Sequence, residues 1–272
     1  MRPMSTHSQK NPAWAPALKG VEVVNVEGYL APAVLWRDDP RVSVADFAFR
    51  RMLEESPRLS GLLAELERRE LRFSVFGGWL RDTLSASSHC STGPRDVDLV
   101  VEGAELDVLL EILPTDVSPT LFGGVQSSAS PVAFDIWPLH ETYLIKVLHL
   151  RPTFENLLRT ADFNINAGLF FPQQRGEASK IMDAGMAAAL ERGQIAFNAA
   201  ELPFPVLQCA RLIAYAAKLD FVFSPDVRQF VSAILEEPGQ RAEVLKGLAR
   251  HQPDLHPTLT GPIISALTKG SS

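Results

Sequence analysis

The sequence is poor in cysteine and in net positive charge and has no long apolar run, and each shortage excludes a class of protein. Its two cysteines, Cys90 and Cys209, lie far apart and outside any Cys-x-x-Cys spacing, so neither a disulfide framework nor a zinc site is expected. The formal net charge of -6 gives no overall attraction to phosphate backbones, so contact with RNA would need a local basic patch. No run reaches the ~20 apolar residues of a membrane-spanning helix, and the N-terminus lacks the pattern of a signal peptide. These shortages predict a protein of the reducing cytoplasm with no membrane partner.

The spacing of apolar residues predicts an α+β fold in which a sheet domain is followed by an all-helical domain. At 272 residues and 46% hydrophobic content, the chain is long enough to fill a proper core. Strand and helix patterns alternate through the middle of the chain, and helical patterns dominate after them. We therefore predict four regions: a poorly ordered tail over 1–19, a partly helical extension over 20–70, the sheet domain over 71–183 and the helical domain over 184–272.

Local signals locate several elements within these regions. In the extension, short strands are expected near 21–26 and 33–36, and two amphipathic helices, separated near Pro57, between residues 43 and 70. In the sheet domain, "TLFGGVQ" and "PVAFDIW" are typical of two strands paired as in a hairpin, and a helix is expected near 104–112. These elements would surround the most unusual stretch of the chain, "FGGWLRDTLSASSHCSTGPRDVDLVVEG".

Two aspartates one residue apart, Asp96 and Asp98, stand at the start of the strand pattern "DVDLVV". Residues i and i+2 of a strand point to the same face, ~7 Å apart between Cα atoms, so both carboxylates can reach one or two divalent ions. Like charges so close are unfavourable unless a cation lies between them, and Mg²⁺ suits hard oxygen ligands. Asp135, in the strand pattern "AFDIW", is the candidate for the third ligand of a two-metal site.

Gly77 and Gly78 lie between the strand pattern "RFSVF" and the start of a helix. At such a turn the backbone N–H groups and the helix dipole favour anionic oxygens, and a Cβ would hold a phosphate away from the backbone. Together with the three acids, the glycines indicate metal-assisted phosphoryl or nucleotidyl transfer from a triphosphate. Each piece alone has a plainer interpretation, since solvated acids are common at strand entrances and Gly-Gly is common in simple turns.

The order of these motifs resembles the head domain of bacterial poly(A) polymerases and CCA-adding enzymes, the class II tRNA nucleotidyltransferases of the DNA polymerase beta superfamily. "GGWLRD" and "DVDLVV" are similar to the family signature, GG-x-V-R-D followed by D-x-D-L-V. "FGGVQ", "AFDIW", "RTADFNINAGLF" and "KIMDAGMAAALERGQIAF" resemble the next landmarks in the same order, and "ARLIAYAAKLDF" resembles a helix of the family's neck domain. The resemblance covers about residues 73–221 and implies a polymerase-beta-like nucleotidyltransferase sheet domain followed by a helical neck-like domain.

The resemblance also implies a role for each matching residue. Asp96, Asp98 and Asp135 would be the catalytic residues and the ligands of two Mg²⁺ ions, and Asp135 would also accept the proton of the attacking hydroxyl. The NTP, with ATP or CTP as the expected substrate, would be bound by a further set of residues: Gly77, Gly78, Arg81, Asp82, Arg159, Asp162, Asn166, Gln208 and Arg211.

The plainer alternatives for part of this set stay open. Arg81 and Asp82 would either reach the phosphates or form a structural salt bridge that braces the glycine turn. Asn166 would either line the nucleotide or tie down the backbone. Trp79, beside the turn, is the tryptophan worth testing as a stacking partner for a base, although packing is the commoner use of tryptophan.

The chain departs from the family pattern at two places where substrate contacts are expected. Thr160 and Ala161 replace the two arginines that precede Asp-Phe, which leaves Arg159 one position further out. The family motif E-D-x-x-R, which pairs with the incoming base, falls on "FPVLQ". Pro205 offers no carboxylate there and Gln208 is neutral. Base choice by the family's mechanism is therefore open in this chain.

The leading hypothesis from the sequence is a Mg²⁺-dependent nucleotidyltransferase that transfers NMP from an NTP to an acceptor hydroxyl and releases pyrophosphate. An RNA 3'-end is the first candidate acceptor. The chain continues only about fifty residues beyond the resemblance, so no dedicated long-RNA clamp is expected, and transfer to a small molecule or to a protein side chain is the alternative. A non-catalytic nucleotide-binding module is a second alternative, and the three acids argue against it.

Overall fold

The computed structural model of the protein describes residues 31–85, 96–113, 117–120, 123–127, 132–251 and 257–268. The predicted tail, the strand expected near 21–26, Cys90 and most of the loop over 83–95 lie outside these residues. The described strands are β1 (Ala33–Leu35), β2 (Arg72–Phe76), β3 (Asp96–Glu102), β4 (Ser118–Pro119), β5 (Val125–Ser127), β6 (Ala133–Pro138), β7 (Gly168–Phe171), β8 (Lys180–Asp183), β9 (Gln194–Ile195) and β10 (Val222–Phe223). The described helices are α1 (Pro40–Glu55), α2 (Pro57–Arg68), α3 (Gly78–Leu84), α4 (Leu106–Ile112), α5 (Tyr143–Val147), α6 (Phe154–Arg159), α7 (Met186–Arg192), α8 (Pro205–Leu219), α9 (Pro225–Glu236), α10 (Pro238–His251) and α11 (Pro257–Thr268).

Eight of these strands form one mixed sheet in the order β1-β8-β7-β2-β3-β6-β5-β4. Its neighbouring strands run antiparallel, except that β3 and β6 pair in parallel. After β8 the described chain is almost entirely helical, and its two short strands, β9 and β10, pair only with each other. The prediction of an α+β fold, with a sheet followed by helices, is confirmed.

The side chains of β3 alternate between two cores because successive residues of a strand point to opposite faces. Val97, Leu99 and Val101 are buried in the core beneath α1, α2 and α3. On the other face, Val100 joins a core covered by α6. The acids of β3 share the face of Val100, so the strand holds them at the edge of a packed layer.

Trp79 is buried in the core beneath α1–α3 and is not available to a ligand. It is 2% exposed, and its ring packs against Phe49 and Phe170 at centroid distances of 5.7 Å. The proposal that Trp79 stacks on a base is therefore wrong. The residue follows the glycine turn at the first turn of α3, and that helix directs its side chain into the core, away from the cavity described below.

The break between the first two helices lies where the sequence predicts it. Ser56 ends α1 and is also the N-cap of α2, where its Oγ accepts a hydrogen bond from the amide of Leu59. Pro57 then occupies the first turn of α2, a position that tolerates a residue without an N–H group.

The strand expected near 33–36 is present as β1, which pairs with β8 at one edge of the sheet. The four domain boundaries stay predictions, although β1, α1 and α2 pack on the same sheet as the elements assigned to the sheet domain.

A third core surrounds α8. It contains Leu212 and Ile213 of α8, Val227 of α9 and Val244 of α10. Phe163, which lies before β7, is buried in the same core. This shared packing connects α8 to the segment that carries the "DFNINA" motif.

None of the helices in the described part of the chain combines the length and apolar character needed to span a bilayer.

Candidate active site

Two aspartates face each other across the parallel strand pair. Asp98 of β3 is the register partner of Asp135 of β6, and neighbouring strands lie about 4.8 Å apart. Register partners project to the same face of a sheet, and Asp96 projects to that face as well because it lies two residues before Asp98. Asp98 and Asp135 are half-buried, whereas Asp96 is exposed at the start of the strand. The fold thus places all three predicted acids on one face.

The electrostatic surroundings oppose ionisation of the two facing acids. Burial, followed by the negative charges of Asp135 and Asp96, raises the pKa of Asp98 to about 7. Burial and the charge of Asp96 likewise raise the pKa of Asp135 above its ordinary value. Arg211 pulls the pKa of Asp98 in the opposite direction without offsetting these effects. A cation beside these carboxylates would relieve the repulsion.

The sequence predicts that the three acids bind Mg²⁺ ions. The chemistry of their side chains fits that prediction fully, and their spatial grouping fits it in part. Their oxygens are the hard donors that Mg²⁺ prefers, and the mutual repulsion of Asp98 and Asp135 fits a site that binds a cation. Within the described ranges, however, no three His, Cys, Asp or Glu side chains are gathered closely enough to enclose an ion. The facing pair therefore fits one or two ions whose remaining ligands come from water or substrate, as is usual for Mg²⁺.

The facing aspartates line a cavity of about 460 Å³, a volume in the range of small-molecule sites. Gly77 and Gly78 line the same cavity, as do Trp137, Tyr143 and Phe204. Trp137 is fixed by a hydrogen bond from its Nε1 to the hydroxyl of Thr142, at 3.0 Å. The cavity therefore combines acidic residues and a glycine turn with aromatic side chains.

The glycine turn depends on Gly77. This residue has a φ of 55°, and a Cβ added to it would lie 3.2 Å from the backbone oxygen of Asn166. Both the dihedral angle and the close approach favour glycine. The amide of Gly77 donates to the carbonyl of Gly168 at 3.0 Å, so it is already used within the fold. The sequence predicts that both glycine amides bind phosphate, and of the two only that of Gly78 remains a candidate.

Arg81 and Asp82 form a buried ionic network behind the cavity. Arg81, which is 4% exposed, donates from Nε to Asp82 at 2.8 Å and from Nη1 to the side-chain oxygen of Asn166 at 2.6 Å. Lys218 of α8 donates to the other oxygen of Asp82 at 2.7 Å. Burial opposes ionisation of Asp82, but Arg81 and Lys218 outweigh it and hold its pKa below the ordinary value. Neither Arg81 nor Asp82 lines the cavity, which favours the bracing alternative over a phosphate contact.

A second network links the "DFNINA" segment to α8 at the cavity wall. Asp162 accepts hydrogen bonds on Oδ1 from the amide of Phe163 and from Nδ2 of Asn166, both at 2.9 Å. Its Oδ2 pairs with Nη1 of Arg211, and the same Nη1 donates to the side-chain oxygen of Gln208 at 3.2 Å. Asp162, Asn166, Gln208 and Arg211 all line the cavity, so the structure brings these four expected nucleotide-binding residues together.

Arg159 is separated from this group. It ends α6, is exposed and does not line the cavity. The neighbouring Thr160 and Ala161 do line it, and neither of them carries a charge. A nucleotide contact by Arg159 is not supported by its position and stays a sequence prediction.

Sequence reasoning did not select the five aromatic residues of the cavity: Phe76, Trp137, Tyr143, Phe204 and Tyr215. Phe204 has a φ of 59° and immediately precedes α8, which turns its ring toward Tyr143 at a centroid distance of 6.0 Å. The available signal was the spacing of Arg211 and Tyr215, four residues apart on one face of a helix. Most of α8 is apolar, and the tyrosine is easily assigned to the core.

Comparison with known proteins identifies the fold. No protein-family model matches the chain, and no curated protein matches it. Among solved structures, a CCA-adding enzyme in complex with ATP aligns with a TM-score of 0.60 at 18% identity, covering 86% of this chain and 54% of the other. A CCA-adding enzyme with CTP aligns with a TM-score of 0.59 at 18% identity, covering 84% and 53%. The Thermotoga maritima CCA-adding enzyme complexed with tRNA aligns with a TM-score of 0.50 at 20% identity, covering 79% and 54%.

These alignments show that the chain has the nucleotidyltransferase fold of CCA-adding enzymes, a mixed sheet followed by helices. The chain spans about half the length of the solved structures it matches. At identities near 20%, the likeness shows the fold alone.

Proposed function

We propose that the protein is a Mg²⁺-dependent nucleotidyltransferase that transfers NMP from an NTP to an acceptor hydroxyl and releases pyrophosphate. The observation that carries this proposal is the register of Asp98 and Asp135 on parallel strands at a cavity that also contains the glycine turn. The fold, which solved CCA-adding enzymes share, supports the same reaction class.

Asp98 and Asp135, with Asp96 beside them, would hold the metal, which would supply Lewis-acid stabilisation of the charge on the phosphates. Gly78 would allow a phosphate to approach the backbone of the turn. The acceptor oxygen attacks the α-phosphorus, a new phosphoester bond forms, and the bond from the α-phosphorus to the bridging oxygen breaks. Pyrophosphate leaves with that electron pair. Asp135 takes the proton of the hydroxyl as the general base.

The nucleoside would lie against aromatic side chains of the cavity. Phe204 and Tyr143 provide flat apolar surfaces there, and stacking on such rings is tolerant of base identity. Pro205 and Gln208 stand where the family pattern places its base-pairing acid and arginine, and of the two Gln208 lines the cavity. ATP and CTP are the first substrates to test, because CCA-adding enzymes of this fold have been solved with each.

Two classes of molecule are candidates for the acceptor hydroxyl. An RNA 3'-end is the first candidate, since a CCA-adding enzyme of the same fold has been solved with tRNA. The net charge of -6 favours a small contact with RNA over an extended one. That same charge leaves transfer to a small molecule or a protein side chain as the second candidate.

The experiment is to incubate the protein with each α-labelled NTP and Mg²⁺, separately with total RNA and with a protein extract. Labelled RNA supports the first acceptor, and labelled protein supports the second. Asp98→Asn and Asp135→Asn should abolish either signal. Asp226→Asn, an exposed aspartate of α9, is the matched control and should retain it. Nucleotide binding without any labelling would instead favour a non-catalytic nucleotide-binding module.

A further inference from the structure

Arg211 is the single cation among the described residues that line the cavity, whereas three aspartates line it. The triphosphate of an NTP carries several negative charges, so the position of this one guanidinium matters more than it would in a basic pocket. Arg211 also lies close enough to Asp98 for their charges to affect each other's pKa. A group that orients Arg211 would thus act on the binding of phosphate at this site.

Three partners hold the guanidinium of Arg211 through its two terminal nitrogens. Nη1 pairs with Asp162 and donates to Gln208, whereas Nη2 donates to the phenol oxygen of Tyr215 at 3.0 Å. Arginine commonly pairs with a carboxylate through two parallel hydrogen bonds. Here the hydroxyl of Tyr215 takes the second nitrogen, so the carboxylate engages only one end of the fork.

Tyr215 is itself held firmly. Its ring meets Phe163 edge to face at a centroid distance of 6.1 Å, and the guanidinium of Arg81 lies over it at 4.6 Å from the centroid. Tyr215 and Arg211 are one turn apart on α8, a spacing that places them on the same face of the helix. Its oxygen therefore has a defined position at the cavity wall, one that the rest of the fold maintains.

We propose that Tyr215 is a positioning residue that keeps the Arg211 guanidinium directed at the cavity, where it binds phosphate oxygens of the nucleotide. This inference rests on the proposed function and adds the group that orients its phosphate ligand. Without the hydroxyl, Nη2 loses its partner and the guanidinium turns toward Asp162, the strongest acceptor left to it. Part of its charge is then neutralised by the protein and is lost to the substrate.

The test measures the affinity of two probes, ATP and inorganic tripolyphosphate, each with Mg²⁺, for the wild type and for Tyr215→Phe. Phenylalanine keeps the ring beneath Arg81 and removes only the oxygen. We expect both affinities to fall by the same factor, roughly three- to tenfold, the size of one ordinary hydrogen bond. The KM for NTP should rise by that factor with kcat nearly unchanged. A merely structural role would lower the melting temperature and kcat together.

A second variant tests the role of Asp162. In the Asp162→Asn background the competing charge is gone, so Tyr215→Phe should have a much smaller effect on tripolyphosphate binding, which is the non-additivity expected of coupled residues. Equal probe affinity in wild type and Tyr215→Phe would overturn the inference and leave the proposed function standing. A loss confined to ATP would also overturn it, since tripolyphosphate has no nucleoside. Absence of binding of either probe to the wild type would overturn both.

Discussion

Asp98 and Asp135 are register partners on adjacent parallel strands, and their carboxylates project to the same face of the sheet. Two half-buried acids in this arrangement cannot both be ionised without mutual repulsion. The pair therefore destabilises the metal-free protein. Such destabilisation is characteristic of a site whose geometry is suited to a bound ligand. Substitutions at the pair and at the residues that support it should therefore have opposite effects on stability.

Replacement of Asp98 by asparagine should stabilise the metal-free protein at alkaline pH. The folded protein retains the proton of Asp98 up to about pH 7, whereas an unfolded aspartate ionises near pH 4. The free energy of unfolding of the wild type therefore falls as pH rises between these values and levels off above them. Asp98→Asn lacks this loss and should exceed the wild type by roughly 1 kcal/mol or more at pH 8, because one pKa unit corresponds to about 1.4 kcal/mol.

Urea unfolding in EDTA at pH 5 and at pH 8 provides the measurement. The advantage of Asp98→Asn should be smaller at pH 5, and Asp226→Asn should show no comparable change. A variant less stable than the wild type at pH 8 would contradict the electrostatic interpretation of the pair.

Replacement of Gly77 by alanine should destabilise the fold. Its φ of 55° is strained for a residue with a Cβ, and that Cβ would lie 3.2 Å from a backbone oxygen. We expect a loss of about 1–3 kcal/mol in the free energy of unfolding. Gly61→Ala is the matched control: Gly61 lies within α2, and a Cβ added there would meet nothing within 4 Å, so alanine should stabilise by roughly 0.5–1 kcal/mol. Equal effects of the two changes would show that the turn is not constrained.

Asp82 of α3 forms ion pairs with Arg81 and with Lys218 of α8. These two ion pairs should contribute unequally to the free energy of unfolding. Asp82→Asn removes the carboxylate that neutralises buried Arg81 and should cost about 2–4 kcal/mol. Lys218→Met breaks the more exposed half of the network and should cost about 1 kcal/mol or less. Chemical denaturation distinguishes them, with Lys246→Met, from an exposed ion pair, as a control expected to change little. A larger loss from Lys218→Met than from Asp82→Asn would contradict this assignment.

Ligand binding should be reported by Trp137 and not by Trp79. Trp137 lines the cavity, whereas Trp79 is buried against Phe49 and Phe170. Titration with ATP or CTP should change the intrinsic fluorescence of the wild type, and Trp137→Phe should remove that change. Trp36→Phe, which alters an exposed ring beside the far edge strand, should retain it. A signal that persists in Trp137→Phe would place the nucleotide elsewhere.

Local sequence patterns sufficed for the elements that carry the acids and the glycine turn. The alternation in "DVDLVV" locates β3, and Ser56 with Pro57 marks the break between α1 and α2. The α+β order and the grouping of the acids on one face follow from these patterns and from the family resemblance. The elements and the pairing of Asp96 with Asp98 depend on neighbours within one strand or one turn, whereas the position of Asp135 opposite Asp98 depends on the register of two strands.

The remaining features depend on partners distant in the sequence. The amide of Gly77 is used by Gly168, about ninety residues away, and nothing near Gly77 indicates it. The burial of Trp79 depends on Phe49 and Phe170, and the role of Tyr215 depends on Arg81. In each case the local pattern leaves the partner of the group open, and only the packing of other elements selects it.

The most direct test of the proposed reaction is a comparison of α-labelled and γ-labelled NTP in one assay with Mg²⁺ and the acceptor pool identified by labelling. We expect the α label to enter the acceptor and the γ label to appear in pyrophosphate, with both signals lost in Asp98→Asn and retained in Asp226→Asn. Entry of the γ label into the acceptor, or release of inorganic phosphate in place of pyrophosphate, would contradict nucleotidyl transfer.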